Sequence, residues 1–244
     1  KPGRGIILPC KHAPFHNVAQ FESELKLIAA IKPDFFIIQG DFMDAFSVSR
    51  YNRGEWSMPG LTLQQEYDET NVLLDLLDDV LPEGCDKVYI EGNHEERIRH
   101  FKKPIDNAKL GDAIVDYHAA LRLAERGYTS LAPYREARCL VGNTAVIHGL
   151  YWGVHAAATH LKNLNQDVVF CHTHRMQMYS DGRATATNIG WGGDVNAKVF
   201  RFKAWFEREK WVNSVSVIDL HEKGKTTVQS LRFDDGFLFE GKRF

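Results

Sequence analysis

Short clusters of His, Asp, Asn and Cys recur along the sequence, each directly after an apolar run that is typical of a strand. Imidazole, carboxylate and thiolate groups are the ligands that zinc and other transition metals prefer. One such cluster arises by chance in many proteins, and a turn or a helix cap would explain it. Five in this order, each at the end of a predicted strand, are much harder to explain in that way and indicate a functional site. They are Cys10-Lys11-His12, Gly40-Asp41-Phe42-Met43-Asp44, Gly92-Asn93-His94-Glu95, His148-Gly149 and His172-Thr173-His174.

The first three clusters are separated by segments that predict alternating strands and helices. Apolar runs at residues 4–8, 35–38 and 87–90 are typical of buried strands, while residues 18–31 and 61–81 carry apolar side chains at helical spacing. This β-α-β-α-β order predicts parallel strands joined by helical crossovers. Because open α/β sheets bind ligands beyond the carboxyl ends of their strands, the clusters are expected to meet at one edge.

The second half of the sequence is richer in short strands. Gly142-Asn143 favours a two-residue hairpin between two of them. We expect one mixed sheet followed by a second, more antiparallel sheet. No linker divides the chain, so a single domain over residues 1–244 is expected. The strands predicted in this half cover residues 138–141, 144–147, 167–171, 183–189, 214–220 and 226–233.

The composition is that of a soluble globular domain. The 244 residues are 44% hydrophobic and 25% charged, and 30 basic against 32 acidic residues leave a formal net charge of −2. This balance disfavours broad electrostatic binding to nucleic acid or anionic lipid. The longest apolar runs fall far short of the roughly 18 residues that span a bilayer.

The cysteines indicate the compartment. Four scattered cysteines form no C-x-x-C pair, which is typical of a reducing environment. We therefore expect a cytoplasmic protein. The first residue is Lys1 rather than Met, which leaves room for a removed N-terminal segment.

Taken together, the clusters resemble the motifs of the calcineurin-like metallophosphoesterase superfamily. That family carries D-x-H, G-D-x-x-D, G-N-H-D/E, a single His and G-H-x-H in the same chain order. The resemblance covers about residues 5–190. It implies an α/β fold, a four-layer α/β/β/α sandwich in which two mixed sheets are flanked by helices, with two metal ions at the strand ends.

Carried over residue by residue, the resemblance implies two sets of metal ligands. Asp41 would bridge the two metals and share the catalytic work with His94, which would stand beside the leaving group. Asp44 would support the site without binding metal. The remaining ligands would be His12 and His174 for the first metal, and Asn93, His148 and His172 for the second.

Such a pair of metals implies a reaction. Two cations about 3.5–4 Å apart can clamp the attacking and leaving oxygens of an in-line displacement, and water bound to them loses its proton near neutral pH. The resemblance therefore implies a dinuclear metal-dependent phosphatase, which hydrolyses a phosphomonoester or phosphoanhydride of a small to medium-sized organic molecule by attack of metal-bound hydroxide. His94, as an imidazolium, would protonate the leaving oxygen.

Two positions depart from the family pattern. Cys10 stands where the family has Asp, and Cys171 stands where it has Gly. A thiolate at Cys10 would be a ligand of the first metal, and a degraded first site is the alternative. Cys171 ends an apolar strand and is expected to be a packed residue. The resulting ligand set favours zinc, or copper at the Cys10 site, over manganese or iron.

Basic side chains near the motifs are candidates for phosphate binding. Arginine suits phosphate because its planar guanidinium donates two hydrogen bonds together. The aromatic and basic stretch at residues 199–211 is either a recognition strip or, as we expect, an amphipathic element packed on the core. The phosphate-binding candidates are His16, Arg50, Arg53, Arg97 and Arg175.

Two other functions compete with a phosphatase. One is a metal-dependent nuclease or phosphodiesterase of the same superfamily, which the near-neutral charge disfavours. The other is a catalytically silent binding scaffold, which Cys10 alone favours. We therefore expect a small phosphorylated molecule as the partner, and neither nucleic acid nor a membrane.

Overall fold

The computed structural model describes residues 2–50, 60–102 and 116–244. In chain order the strands are β1 (Gly3–Leu8), β2 (Phe35–Ile38), β3 (Asp86–Ile90), β4 (Tyr128–Leu131), β5 (Cys139–Val141), β6 (Thr144–Val146), β7 (Val168–Phe170), β8 (Met176–Ser180), β9 (Thr185–Ile189), β10 (Ser214–Leu220), β11 (Thr226–Arg232), β12 (Leu238–Phe239) and β13 (Lys242–Arg243). The α-helices in the described ranges are α1 (Val18–Ile31), α2 (Leu63–Val80), α3 (Glu96–Lys102), α4 (Tyr117–Ala120), α5 (Ala156–Leu164) and α6 (Trp205–Arg208).

Two large mixed sheets form the middle of the molecule. The first has the order β11-β10-β1-β2-β3-β4, and the second has the order β5-β6-β7-β9-β8. In the first sheet β1, β2, β3 and β4 are parallel neighbours, as the alternating strand and helix pattern predicts. Their carboxyl ends therefore lie at one edge, where three of the five clusters begin.

The prediction of a second, more antiparallel sheet in the second half of the chain holds only in part, because the strands of this half are divided between the two sheets. The strands β10 and β11 complete the first sheet, with β10 antiparallel to β1. The second sheet contains two parallel pairs, β6 with β7 and β7 with β9. The first five residues of β10 are all buried, which is the pattern of a strand inside a sheet rather than at its edge.

The alternation of side chains along each strand separates the layers. Ile7 of β1 packs with Val169 of β7 in the core between the two sheets. Its neighbours Ile6 and Leu8 point to the opposite face, where they pack with residues of α1 and α2. Phe170 of β7 likewise points away from the middle, into a cluster with α5. Four layers result, which confirms the α/β/β/α sandwich.

The two crossover helices begin at side-chain caps. The Asn17 side chain accepts a hydrogen bond from the Gln20 backbone N–H at 3.0 Å, and Lys32, the C-cap that follows α1, has a left-handed conformation. Thr62 and Gln65 form a capping box at the start of α2. Among the described residues, no helix is both long enough and apolar enough to cross a membrane.

Candidate metal centre

The loops that follow β1 and β2 run side by side and bring the first two clusters together. The backbone N–H of His12 donates to the Asp41 carbonyl at 2.9 Å, and that of Ala13 donates to the Phe42 carbonyl at 2.8 Å. Because these bonds continue beyond the ends of the strands, the imidazole of His12 and the carboxylate of Asp41 enter the same space.

Backbone conformation at the site is unusual. His12, Asp41 and His174 have φ angles of 55°, 47° and 61°, in the left-handed region. Non-glycine residues in this region cost of order 1–3 kcal/mol each and cluster at functional sites. The approach of the chains is also close, since a Cβ on Gly92 would lie 2.2 Å from Asp41 Oδ1. A glycine is therefore needed beside Asp41.

A buried carboxylate holds the turn that carries Asp41. Glu95 Oε2 accepts hydrogen bonds from the backbone N–H groups of Asp41 at 2.9 Å and Gly92 at 3.0 Å. Its Oε1 accepts from the N–H of Phe42 at 2.8 Å and the hydroxyl of Tyr89 at 2.8 Å. The motif at residues 92–95 thus fixes the loop at residues 40–43. Glu95 is part of the Gly92-Asn93-His94-Glu95 motif, but the sequence alone indicated no role for it.

Four potential ligand atoms converge on one side of Asp41. His148 Nδ1–H donates to the Gln39 carbonyl at 2.9 Å, which orients its Nε2 toward the site. That Nε2 lies 3.1 Å from Asn93 Oδ1, 3.1 Å from His172 Nδ1 and 3.1 Å from Asp41 Oδ2. Such a convergence, with one imidazole oriented through its other nitrogen, is typical of a metal site.

A second group of ligand atoms lies on the other side of the site. His12 Nδ1–H donates to Asp44 Oδ2 at 2.9 Å, and His12 Nε2 lies 3.1 Å from His174 Nε2. The ligand atoms of Cys10, His12 and His174 are all within 4.8 Å of one another, as are those of His12, Asp41 and His94. The structure therefore brings together all seven residues predicted as ligands, in two adjoining sets.

The electrostatics of these side chains suit a cation. Burial opposes the charge of Asp41, yet the imidazoles of His148 and His94 hold its pKa well below the usual range. Burial, followed by the charge of His148, lowers the pKa of His172 to about 3. Burial also lowers the pKa of His174. Burial opposes the charge of His148, yet Asp41 raises the pKa of this ring well above its usual range, so His148 would release a proton when a cation binds. An ionised carboxylate, two imidazoles with lowered pKa values and a third that a metal would deprotonate fit the two metal ions that the motifs imply.

The two cysteines are both buried and lie against each other. Burial raises the pKa of the Cys10 thiol well above its usual range, and the thiol of Cys171 is its hydrogen-bonding neighbour. Cys171 Sγ lies 3.5 Å from the Gln39 carbonyl and 3.5 Å from His148 Nδ1, on the far side of that ring from its Nε2. Cys10 therefore stands with the ligand atoms, and Cys171 packs behind them.

His94 lies at the edge of the centre with its ring held at both nitrogens. Its Nδ1–H donates to the Asp44 carbonyl at 2.8 Å, and its Nε2 accepts from Arg97 Nη2 at 2.7 Å. Arg97 also donates to the Asp44 carbonyl at 3.0 Å. Burial and the charge of Arg97 lower the pKa of His94. While Nε2 accepts this hydrogen bond from Arg97, it cannot donate a proton to another group.

The predicted phosphate-binding residues divide into three groups. Arg97 and Arg175 line the cleft above the centre. His16 packs against Phe21, with ring centroids 5.8 Å apart, and is not among the described residues that line the cleft. Arg50 is exposed at the end of a described segment, and Arg53 lies outside the described residues.

Aromatic side chains surround the first ligand set. Trp191 stacks on His174 with a centroid distance of 4.6 Å and an interplanar angle of 15°. Phe200 contacts the ring of His12 at 5.6 Å, and Trp211 contacts His174 at 4.7 Å. Sequence reasoning missed Trp191, although a Trp between glycines directly after β9 was a usable signal. In the stretch at residues 199–211, Phe200 and Trp211 pack on the core as expected, whereas its other aromatic side chains, Phe202, Trp205 and Phe206, are exposed.

Comparison with known proteins gives one family and a group of similar structures. A model described as calcineurin-like phosphoesterase matches residues 12–181. A search of curated proteins gives no match. Vps29 of Chaetomium thermophilum is 11% identical with a TM-score of 0.44, over 95% of this chain and 98% of that chain. Vacuolar protein sorting 29 of Cryptosporidium parvum is 13% identical with a TM-score of 0.43, over 96% of this chain and 99% of that chain. Vps29 of Entamoeba histolytica in complex with Zn²⁺ is 12% identical with a TM-score of 0.41, over 95% of this chain and 99% of that chain.

Removal of the Cys10 sulfur tests its place among the ligands. Cys10→Ala should lower the zinc content from about two ions to about one per chain, because the first set then keeps only two imidazoles and a shared carboxylate. Cys10→Asp should keep two ions and accept manganese or iron more readily. Elemental analysis after dialysis checks both. Cys139→Ala, a partly buried cysteine in β5, is the control. Two zinc ions in Cys10→Ala would show that Cys10 is only packed.

The partly buried position of His16 predicts a pH-dependent stability. Burial and then the charge of Lys11 lower the pKa of His16 from 6.5 to about 4. Between these values the unfolded chain binds more protons than the folded one, so the free energy of unfolding falls as the pH drops from about 6.5 to about 4. His16→Gln should weaken this fall in urea titrations at pH 7 and pH 5. His221→Gln, on the exposed terminal turn, is the control, and an unchanged fall in His16→Gln would contradict the prediction.

Proposed function

The chain belongs to the calcineurin-like phosphoesterase family, and from that premise we propose that it is a dinuclear metal-dependent phosphatase of a small to medium-sized organic phosphate. The observation that carries the proposal is the convergence of two ligand sets on the carboxylate of Asp41, at the floor of an open cleft. When bound there, two divalent ions supply Lewis-acid stabilisation of phosphoryl oxygens and lower the pKa of water to near neutral.

Asp41 is placed to serve both ligand sets. Its Oδ1 accepts a hydrogen bond from the His94 backbone N–H at 2.7 Å, and its Oδ2 lies 3.1 Å from His148 Nε2. The clamp by Glu95 fixes the Asp41 backbone, so the carboxylate does not have to be reoriented for each turnover. Thiolate, imidazole and carboxylate ligands favour zinc at both sites, with copper as the alternative beside Cys10.

Arg97 and His94 form the pair that meets the substrate. A phosphate dianion in the cleft attracts the guanidinium of Arg97, which can donate two hydrogen bonds to it. This movement frees His94 Nε2 and removes the nearby positive charge that lowers the pKa of His94. His94 can then bind a proton and donate it to the leaving oxygen, while Asp44 holds the ring through Nδ1.

A catalytically silent binding protein is the second candidate, and Cys10 is the observation that favours it. A buried thiol in place of the family's carboxylate gives a first site that binds hard cations poorly. The second ligand set is unaffected by this change, since it consists of Asp41, Asn93, His148 and His172. The two candidates differ in one respect that can be measured, namely turnover by protein that has been shown to contain metal.

Turnover and its dependence on metal test the proposed function. The zinc-loaded protein should hydrolyse p-nitrophenyl phosphate or pyrophosphate, and a chelator should abolish the reaction. Asp41→Asn should lower kcat/KM at least about 10³-fold, because both ligand sets lose their shared charge. Asp79→Asn, an exposed carboxylate on α2, is the control and should match the parent.

Three outcomes would count against this function. Full activity in metal-stripped protein would exclude the metal mechanism. No turnover by protein that carries two zinc ions would favour the silent binding protein. Preferential cleavage of phosphodiesters or of DNA, with tight and salt-dependent binding, would favour the nuclease.

A leaving-group series tests the role of His94. His94→Ala should retain zinc but lose about 10²- to 10⁴-fold in rate on alkyl phosphates, whose leaving oxygen needs a proton. Aryl phosphates with acidic leaving groups should lose much less. Rates for a series of esters, with zinc content determined in parallel, check this. An equal loss across the series would assign His94 to phosphate binding instead.

A further inference from the structure

The cleft above the candidate metal centre is much larger than a phosphoryl group requires. Its volume is about 1110 Å³, and its floor contains the ligand residues His12, Asp41 and His172. Pockets of about 300–1,000 Å³ hold whole drug-sized ligands. The cleft therefore has room for an organic group of substantial size attached to the phosphate.

The walls of the cleft are apolar and exposed. Trp152 and Val154, in the loop before α5, are 74% and 67% exposed, and Phe202 is 73% exposed. Trp152 reaches the metal centre, since its ring contacts that of His172 at 6.3 Å. Phe200 also reaches the metal centre, since its ring contacts that of His12 at 5.6 Å. An apolar surface that runs from both ligand sets into solvent is typical of a ligand-binding groove.

The charges around these walls are mainly positive. Lys198, Arg201 and Arg175 line the cleft, and the Nε of Arg175 has no hydrogen-bond partner among the described residues. Lys203 also lines it, with Glu207 at 3.9 Å as its partner. A ligand that complements both the apolar walls and the positive charges has an anionic head and an apolar body.

A nucleotide fits these walls less well. A base is read by hydrogen bonds to its edges as well as by stacking. Among the described lining residues, Asn93 is the one side-chain amide, and it belongs to the metal centre. Apart from Ser49, Thr173 and Glu207, the outer walls offer apolar surface and cations, which match a hydrocarbon chain next to a phosphate.

We propose that the cleft binds an amphiphilic phosphate ester, with the phosphate at the metal centre and an alkyl or acyl chain along Trp152, Val154 and Phe202. This inference rests on the proposed phosphatase function for the chemistry, but the binding of the chain can be measured without turnover. Each buried CH₂ contributes about 0.8 kcal/mol, which is about fourfold in affinity.

The test is a series of n-alkyl phosphonates, which cannot be hydrolysed, with chains of about four to ten carbons and each below its micellar concentration. Isothermal titration of the zinc-loaded protein should give an affinity that rises about two- to fourfold per CH₂. Trp152→Ser and Phe202→Ser should each reduce this increment. Trp205→Ser is the matched control, because Trp205 is 66% exposed on the same surface segment but is not among the described lining residues.

A second arm distinguishes two sources of the amphiphile. Release of phosphate from monomeric alkyl phosphates is compared with release from phosphatidic acid in phosphatidylcholine vesicles. A vesicle rate above the monomer rate, which Trp205→Ser alone lowers, would show that the substrate is taken from a lipid surface. A monomer rate above the vesicle rate would show that it is taken from solution.

Three results would overturn the inference. They are an affinity that does not change with chain length, an equal effect of Trp205→Ser and Trp152→Ser on the increment, and tighter binding of a nucleoside phosphonate than of the decyl compound. Failure of the inference is distinguishable from failure of the phosphatase proposal. If affinity does not change with chain length but aryl phosphates are hydrolysed, only the proposal of an amphiphilic substrate is rejected. If affinity rises with chain length but no phosphate ester is hydrolysed, only the phosphatase proposal is rejected.

Discussion

A carboxylate that is 1% exposed, as Asp41 is, must be compensated by hydrogen bonds or positive charge, because an uncompensated ionised group in a protein interior costs several kcal/mol. The protein supplies the backbone N–H of His94 and the imidazole of His148 on either side of it. Ligand atoms of His12, His172 and His174 surround the same point, so a bound cation would complete the compensation. The left-handed backbone at Asp41 and the clamp by Glu95 both serve to keep the carboxylate there.

The spacing of apolar residues along the sequence predicts part of this arrangement. Apolar runs such as residues 35–38 specify buried strands, and the crossover helices make β1, β2 and β3 parallel, so motifs at their ends must meet at one edge. The pairing of β10 with β1 could not be read in the same way. A buried strand pattern indicates that a strand lies inside a sheet, but it does not identify the neighbours.

The sequence also does not predict hydrogen bonds between groups that are brought together only by the packing of loops. Nothing in the spacing of Glu95 indicates that it accepts hydrogen bonds from residues 41–43, since the partner is defined only by how two loops pack. The contact of Arg97 with His94 Nε2 is a further example, because an i,i+3 pair at the start of a helix has many rotamers. Cys10 is different. Its type and position predicted a ligand, and the fold does place its sulfur among the ligand atoms of His12 and His174.

We propose that this chain holds two metal ions, with Asp41 between them and Cys10 as a ligand of the first. Anomalous X-ray scattering from crystals grown with zinc tests it most directly. We predict two zinc peaks, one within bonding distance of Cys10 Sγ, His12 and His174, and one within bonding distance of Asn93, His148 and His172, with the Asp41 carboxylate reaching both. A single peak at the second set, with the Cys10 sulfur turned toward Cys171, would contradict the account.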